Sequence, residues 1–142
     1  MMKKLLPVIL TVVAVVSTLA YVYAAESAAA GKVTAYYLHG TFRCYTCNLM
    51  EKYSKEAIQA NFKDVLASGK LEFKAVNVEE RGNEHFVNDY QIYTKSLVLS
   101  LVKDGKQIKW KNLPKIWDYA RNQQKFSDYV TGEVAAFLKE AQ

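Results

Sequence analysis

The chain has 142 residues, of which 51% are hydrophobic and 23% are charged, and its formal net charge at pH 7 is +5. This composition is typical of a globular domain with an apolar segment attached, and the chain is long enough for a single hydrophobic core. The basic excess does not indicate nucleic-acid binding, because the sequence contains no motif of that class.

The apolar segment lies at the amino terminus. Two lysines within the first four residues precede residues 5–24, which carry no charged side chain. This is the pattern of an export signal peptide or of a signal anchor. The twenty uncharged residues form a helix of about 30 Å, enough to cross a bilayer, which slightly favours an anchor. Small residues before Ala25 and before Gly31 suit a signal peptidase, so cleavage stays open.

The chain is therefore predicted to have three parts. Residues 1–25 are a signal peptide or a signal-anchor helix, residues 26–31 are a tether, and residues 32–142 are the folded domain. Either fate of the first part takes the domain out of the cytoplasm. We expect a periplasmic or other extracytoplasmic location, with the domain held at the cytoplasmic membrane by its amino-terminal helix.

The first predicted strand, residues 33–39, is rich in β-branched and aromatic residues and is almost continuously apolar, as a central buried strand is. A turn at residues 40–43 leads from it to Cys44. After Cys47, apolar residues recur every three or four positions and predict a helix with one core-facing stripe, which Gly69 ends. The stripe consists of Met50, Tyr53, Ala57, Ile58, Phe62, Val65 and Leu66.

The rest of the chain predicts five more elements, two of which form a hairpin. In order they are a strand at residues 71–78, a short helix capped by Asn83, strands at residues 97–102 and 107–110, and an amphipathic helix from about Gln124. Asp104-Gly105 lies between the last two strands and is one of the stronger sequence signals for a tight hairpin turn.

The order β-α-β-α-β-β-α, with two cysteines just after the first strand, is that of thioredoxin. A helical connection makes strands one and two parallel, whereas the hairpin makes strands three and four antiparallel. The predicted fold class is therefore α/β, a thioredoxin-like fold with a four-stranded mixed sheet flanked by helices.

Cys44 and Cys47 are the only cysteines in the chain. Because they are three residues apart in a first helical turn, their sulfurs share a face at a separation that a disulfide can bridge. The helix N-terminus and the neighbouring Arg43 both lower a thiol pKa, so we expect Cys44 to be the nucleophile and Cys47 the more buried resolving thiol. A purely structural disulfide is the weaker alternative, since so short a loop constrains the unfolded chain little.

A closer resemblance is carried by residues 37–47, 72–79, 86–91 and 104–113. These segments resemble a small bacterial thioredoxin-like family, usually named as the F subunit of the nitrophenyl-compound nitroreductase of arsenical-resistance clusters. The resemblance covers almost the whole exported domain. It implies that the protein passes electrons toward the reduction of nitroaromatic compounds, together with a second subunit.

Two positions depart from general thioredoxins. Lys95 occupies the site before the third strand that normally holds a cis-proline. Its positive charge is expected to favour a Cys44 thiolate or to bind an anionic group of the substrate. The alternative is a lysine that is simply solvated. Leu38 replaces the acid that is normally buried six residues before the first cysteine. His39 is the remaining candidate for a proton donor or for a charge near the thiolate, the alternative being a loop histidine with one hydrogen bond.

Tyr45 and Thr46 separate the two cysteines, and their surroundings are expected to influence the reduction potential. Aromatic residues cluster around the motif and form either a binding wall or ordinary packing. They are Tyr36, Tyr37, Phe42 and Tyr45.

We expect a thiol–disulfide oxidoreductase that needs no cofactor and acts as a monomer on a redox partner protein at the membrane. A second nitroreductase subunit is a further partner implied by the resemblance. The alternative is a redox-inert binding module whose two thiolates capture copper(I), a trivalent arsenical or a partner protein. A zinc site that adds His39 and His85 to the cysteines is disfavoured, because the spacing fits no structural zinc pattern.

Overall fold

Nine elements make up residues 31–142, the part of the chain that the structure, a computed structural model, describes. They are β1 (Lys32–His39), α1 (Tyr45–Asn61), α2 (Lys63–Ala67), β2 (Leu71–Asn77), α3 (His85–Asp89), β3 (Ser96–Lys103), β4 (Lys106–Asn112), α4 (Ile116–Tyr119) and α5 (Gln123–Glu140). The signal or anchor helix predicted for residues 1–25 lies outside the described residues, as does nearly all of the predicted tether. Within residues 31–142, no helix has both the length and the apolar character needed to cross a membrane.

The four strands form one mixed sheet in the order β2-β1-β3-β4. β1 pairs parallel with β2 and antiparallel with β3, and β3 pairs antiparallel with β4. This confirms the predicted thioredoxin-like fold of a four-stranded mixed sheet flanked by helices. β1 is a central strand, in agreement with its nearly continuous apolar sequence.

The main core lies on the sheet face that α1 and α5 cover. Side chains alternate between the two faces of a strand, and Val33, Ala35 and Tyr37 of β1 are fully buried in this core. The other large, fully buried members include Met50, Ile58, Leu97, Leu99, Leu113, Ile116 and Phe126. The apolar stripes predicted for α1 and α5 are therefore the surfaces that pack on the sheet.

A smaller apolar cluster lies on the opposite face, near the carboxyl end of β1. Its buried members are Leu38, Tyr90, Ile92 and Val98. Leu38, which stands where general thioredoxins bury an acid, is fully buried among these apolar neighbours. This cluster therefore continues the hydrophobic packing up to the loop that follows β1.

The hairpin between β3 and β4 has the predicted turn. Asp104 and Gly105 both take positive φ, at 50° and 73°. Positive φ at both central residues is the geometry of a type I′ turn, whose twist matches that of the flanking strands. The Asp-Gly signal in the sequence thus identified the turn correctly.

The single helix predicted after the cysteines is wrong, because the chain breaks it at Phe62. This residue has φ −132° and ψ 36°, outside the helical region. Just before it, the Asn61 side-chain amide donates to the carbonyl oxygen of Ala57 at 2.8 Å, and so competes with the backbone for that acceptor. Beyond the break, Val65 and Leu66 of α2 still pack against the main core.

The predicted cap of α3 is also wrong. The Asn83 side-chain amide donates to the carbonyl oxygen of Asn77 at 3.0 Å, and Glu84 takes the N-cap position without a side-chain hydrogen bond to the helix. Asn83 therefore fixes the loop after β2. The short helix α4 was not predicted, because its four residues are too few to show a helical period.

Candidate active site

The two cysteines form a disulfide at the start of α1. Their Cα atoms are 5.0 Å apart, within the separation that a disulfide bridges. Cys44 is the N-cap residue, and its Sγ accepts a hydrogen bond from the backbone N–H of Cys47 at 3.1 Å. The predicted placement of both sulfurs in one helical turn is therefore confirmed.

The two cysteines differ in their exposure to solvent. Cys44 is partly exposed, whereas only 2% of Cys47 is exposed. An attacking thiol must be reachable by its substrate, and a resolving thiol need only reach its neighbour. The difference in burial fits the predicted roles of nucleophile and resolving thiol, which stay predictions.

The charged group of Arg43 contacts two other side chains near the disulfide. Its guanidinium forms an ion pair with the carboxylate of Glu51 on α1, and one of its nitrogens lies 3.3 Å from Nε2 of His39. The remaining guanidinium nitrogen, Nε, is buried without a hydrogen-bond partner among the described residues. Because a carboxylate compensates the guanidinium, we expect Arg43 to favour a Cys44 thiolate less than an unpaired arginine would, and its effect on the thiol stays a prediction.

Both ring nitrogens of His39 have partners. Nδ1 lies 2.9 Å from the carbonyl oxygen of Gly40, which only accepts. One guanidinium nitrogen of Arg43 lies 3.3 Å from Nε2 and 3.5 Å from Nδ1, so it contacts both ring nitrogens. Nδ1 therefore carries a proton in the contact with Gly40, whereas the Arg43 nitrogen, close to both ring nitrogens, does not determine the state of Nε2. A proton-donor role for His39 stays a prediction, and it requires one of these two contacts to break.

Lys95 directly precedes β3, at the position predicted from the missing proline, and residues 31–142 contain no cis peptide bond. Its Nζ lies 6.0 Å from the centre of the Phe42 ring. Its carbonyl oxygen accepts a hydrogen bond from the indole of Trp117 at 3.0 Å. The side chain thus lies beside the loop that carries Cys44, and its predicted effect on the thiolate stays a prediction.

Glu79 was missed from the sequence, although it holds the same loop. Its carboxylate accepts a hydrogen bond from the backbone N–H of Thr41 at 2.9 Å. Hydrogen bonds from the backbone and the side chain of Thr41, and to a lesser extent the nearby charge of Lys95, lower the pKa of Glu79 below its ordinary value. Since β1 and β2 are parallel, the residues that follow them meet at one edge of the sheet. This rule could have predicted that Glu79, just after β2, lies near the loop that follows β1.

The aromatic residues predicted around the motif do not form one wall. Tyr37 is fully buried, whereas Phe42 and Tyr45 are exposed by 77% and 79%. Tyr36 packs on the opposite sheet face, with its ring centre 5.2 Å from that of Phe86. Thr46, in the first turn of α1, is partly exposed. Tyr45 therefore presents an aromatic surface beside Cys44, while Tyr37 is part of the core.

A cleft of about 370 Å³ opens beside the loop that leads to Cys44. The side chains of Leu38 and Ile92 contribute apolar lining, and Glu79 and Lys95 contribute one charge of each sign. Tyr93, another lining residue, is 98% exposed. The cleft thus combines apolar, aromatic and charged groups, and neither cysteine is among its lining residues.

Tyr37, which the sequence predicted only as part of an aromatic wall or as packing, also contacts the turn that carries the cysteines. Its hydroxyl donates a hydrogen bond to the carbonyl oxygen of Cys47 at 2.7 Å. Burial raises the pKa of Tyr37 to about 12, against a weaker opposing effect of the Arg43 charge. In the sequence, only the position of this tyrosine on the inward face of β1, near the end of the strand, indicated the contact with Cys47.

Candidate metal ligands do not gather around the disulfide. His85 of α3 pairs through Nδ1 with the carboxylate of Asp89 at 2.7 Å. In residues 31–142, no group of three or more histidine, cysteine, aspartate and glutamate side chains is placed to hold a metal ion. Two thiolates from Cys44 and Cys47 would suit a soft, two-coordinate ion such as copper(I).

The solved structures that resemble this chain include two thioredoxins. Thioredoxin from Fasciola hepatica has 19% sequence identity and a TM-score of 0.39, over 70% of this chain and 79% of that chain. Thioredoxin O2 from Arabidopsis thaliana, in the oxidized state, has 11% identity and a TM-score of 0.41, over 70% of this chain and 76% of that chain. No family model and no curated protein matches the sequence. The strand order and the site of the cysteine pair, rather than these distant likenesses, define the chain as thioredoxin-like in fold.

Proposed function

We propose that this protein is a thiol–disulfide oxidoreductase that cycles Cys44 and Cys47 between a disulfide and a dithiol. One observation carries the proposal: the disulfide closes at the N-terminus of α1, with Cys44 partly exposed and Cys47 buried. A structural staple gains nothing from this placement, whereas an exchange reaction needs an accessible sulfur and a protected one.

The exchange has two steps. The Cys44 thiolate attacks one sulfur of a substrate disulfide, so a Cys44–substrate S–S bond forms and the other substrate sulfur leaves as a thiolate that takes up a proton. Cys47, once deprotonated, then attacks Sγ of Cys44, which closes the protein disulfide and releases the second substrate thiolate. The substrate gains two electrons and two protons, and the protein dithiol loses them. Oxidation of a substrate dithiol is the same sequence in reverse.

Backbone groups supply most of the support for the thiolate in this proposal. The Cys47 N–H already points at Sγ of Cys44 at 3.1 Å, and a hydrogen bond to a charged sulfur is stronger than one to a neutral sulfur. The N-terminus of a helix adds a favourable field. Leu38 offers no proton, so the protons exchanged by the two sulfurs come from water or from a polar neighbour.

The proposal extends to the cellular location of the domain and to its redox partner. An extracytoplasmic domain tethered to the membrane is supported by the charged start and the apolar residues 5–24 of the sequence. A membrane-associated redox protein is the proposed partner of a monomeric domain. Electron transfer toward nitroaromatic reduction, with a second subunit, is supported only by the sequence resemblance.

A stalled mixed disulfide tests the oxidoreductase proposal most directly. Cys47→Ser should accumulate a covalent adduct between Cys44 and its partner, because the resolving sulfur is absent, and mass spectrometry of the adduct identifies the partner. Cys44→Ser is the matched control and should form none. A wild-type chain that does not exchange with glutathione at any ratio of its oxidised and reduced forms contradicts the proposal.

The second candidate is a redox-inert binding module. It is supported by Leu38, which is fully buried where general thioredoxins carry an acid, and by Lys95 at the position of their proline. Titration of the reduced protein with copper(I) or arsenite should then show one-to-one binding that Cys44→Ser abolishes. Absence of such binding removes this candidate.

A further inference from the structure

Tyr37 is a buried phenol that contacts the redox-active turn, and the proposed exchange makes no use of it. The residue lies near the carboxyl end of β1 and is fully buried. Its hydroxyl donates to the carbonyl oxygen of Cys47 at 2.7 Å. Because burial raises the pKa of Tyr37 to about 12, the hydroxyl keeps its proton at neutral pH and stays a donor.

The peptide groups on either side of the Cys47 Cα therefore both have partners. The N–H donates to Sγ of Cys44 at 3.1 Å, and the carbonyl oxygen accepts from Tyr37. The first bond depends on redox state, because a thiolate is a stronger acceptor than a disulfide sulfur. The second bond connects the same residue to the central strand of the sheet.

We propose that Tyr37 is a positioning residue of the redox site, whose hydroxyl holds the first turn of α1 so that the Cys47 N–H stabilises the Cys44 thiolate. This inference rests on the proposed function and assigns Tyr37 a part in it. Tyr37 acts through Cys47 and touches no substrate.

The two redox states depend on this hydroxyl to different degrees. In the disulfide form, the covalent bond between Cys44 and Cys47 fixes the turn by itself. In the dithiol form that constraint is gone, and the bond from Tyr37 takes over part of its role. Loss of the hydroxyl therefore weakens the dithiol form more than the disulfide form, and reduction becomes less favourable.

The variant Tyr37→Phe measures this difference. We expect the equilibrium constant for reduction of the full chain by glutathione to fall about threefold to tenfold, the range expected for one hydrogen bond. A tenfold fall corresponds to a reduction potential about 30 mV more negative. Tyr90→Phe is the matched control, since Tyr90 is a buried tyrosine whose hydroxyl donates to Gln107 at 2.8 Å on the opposite sheet face. Its potential should equal that of the wild type.

The outcomes separate this inference from the proposed function. A wild-type chain that never exchanges with glutathione contradicts the function itself. Normal exchange with an unchanged potential in Tyr37→Phe overturns the positioning role alone, even if the variant is less stable, because a purely structural residue lowers the stability of both redox forms equally.

A measurement on the wild type covers the case in which Tyr37→Phe does not fold. With tyrosine labelled at the ring carbon that bears the hydroxyl, the Tyr37 resonance should shift more than the Tyr90 resonance between the disulfide and dithiol forms. Equal shifts of the two resonances also overturn the positioning role.

Discussion

The guanidinium of Arg43 forms an ion pair with the carboxylate of Glu51, which stands on α1 beyond both cysteines. The same guanidinium contacts the imidazole of His39. The cation that precedes Cys44 in the sequence thus has its charge compensated by a partner held on the active-site helix. The N–H groups at the start of α1 are then the main support for a thiolate at Cys44.

The substitution Glu51→Gln should make Cys44 more reactive. It removes the carboxylate and leaves the Arg43 charge uncompensated, which favours the thiolate. Because the pair is partly solvated, we expect only about a threefold faster alkylation of the reduced protein by iodoacetamide at neutral pH. Glu56→Gln is the control, since Glu56 lies on the same helix and pairs with Lys52. An alkylation rate in Glu51→Gln equal to that of the control shows that Arg43 does not act on the sulfur.

The contact between Gly40 and Glu79 predicts an interaction between two substitutions. A Cβ at Gly40 would collide with the Glu79 carboxylate, so Gly40→Ala displaces that carboxylate from the N–H of Thr41. We expect Gly40→Ala to lower the free energy of unfolding slightly, because this hydrogen bond is lost and a solvent-exposed bond contributes little. In a Glu79→Ala background the same change should cost almost nothing, because its obstacle is gone. Equal costs in the two backgrounds, measured by urea unfolding, refute this coupling.

The sequence predicted those features that depend on local patterning. The apolar run before the cysteines gave the central strand, and Asp104-Gly105 gave the hairpin turn, since each has a short-range physical signature. The break at Phe62 was missed because the apolar period runs on through it. Its cause lies in tertiary packing and in a side chain that competes for a backbone acceptor.

The same distinction holds for the site, where the sequence predicts features set by local spacing and misses those set by tertiary packing. The spacing of Cys44 and Cys47 fixed the disulfide, because three residues of a helical turn determine the distance between two sulfurs. Neither Tyr37 nor Glu79 could be connected to the site by spacing. Each reaches it across the sheet edge or from beneath the helix, and such contacts depend on how separate elements pack.

The substitution Lys95→Met should slow the alkylation of Cys44 by about twofold to threefold, if the ammonium group acts on the thiolate. Methionine keeps an unbranched apolar chain for the contact with Phe42 and removes only the charge. Raising the salt concentration should reduce the difference between variant and wild type, because salt screens charges near the surface. An unchanged alkylation rate indicates that the charge of Lys95 interacts with the Glu79 carboxylate and not with the Cys44 thiolate.

Alkaline pH should destabilise the fold through Tyr37. Burial raises its pKa from 10.0 to about 12, so above the unfolded value the unfolded chain releases a proton that the folded chain keeps. Stability from this residue is complete below that value and is lost as the pH rises through the folded pKa, by about 2–3 kcal/mol in total. Urea unfolding at about pH 9 and about pH 11 measures the loss, which should be smaller in Tyr37→Phe than in the wild type. Tyr45→Phe, which removes a phenol that is 79% exposed, should behave as the wild type does. Equal losses in wild type and Tyr37→Phe mean that the phenol ionises as freely in the folded chain as in the unfolded one.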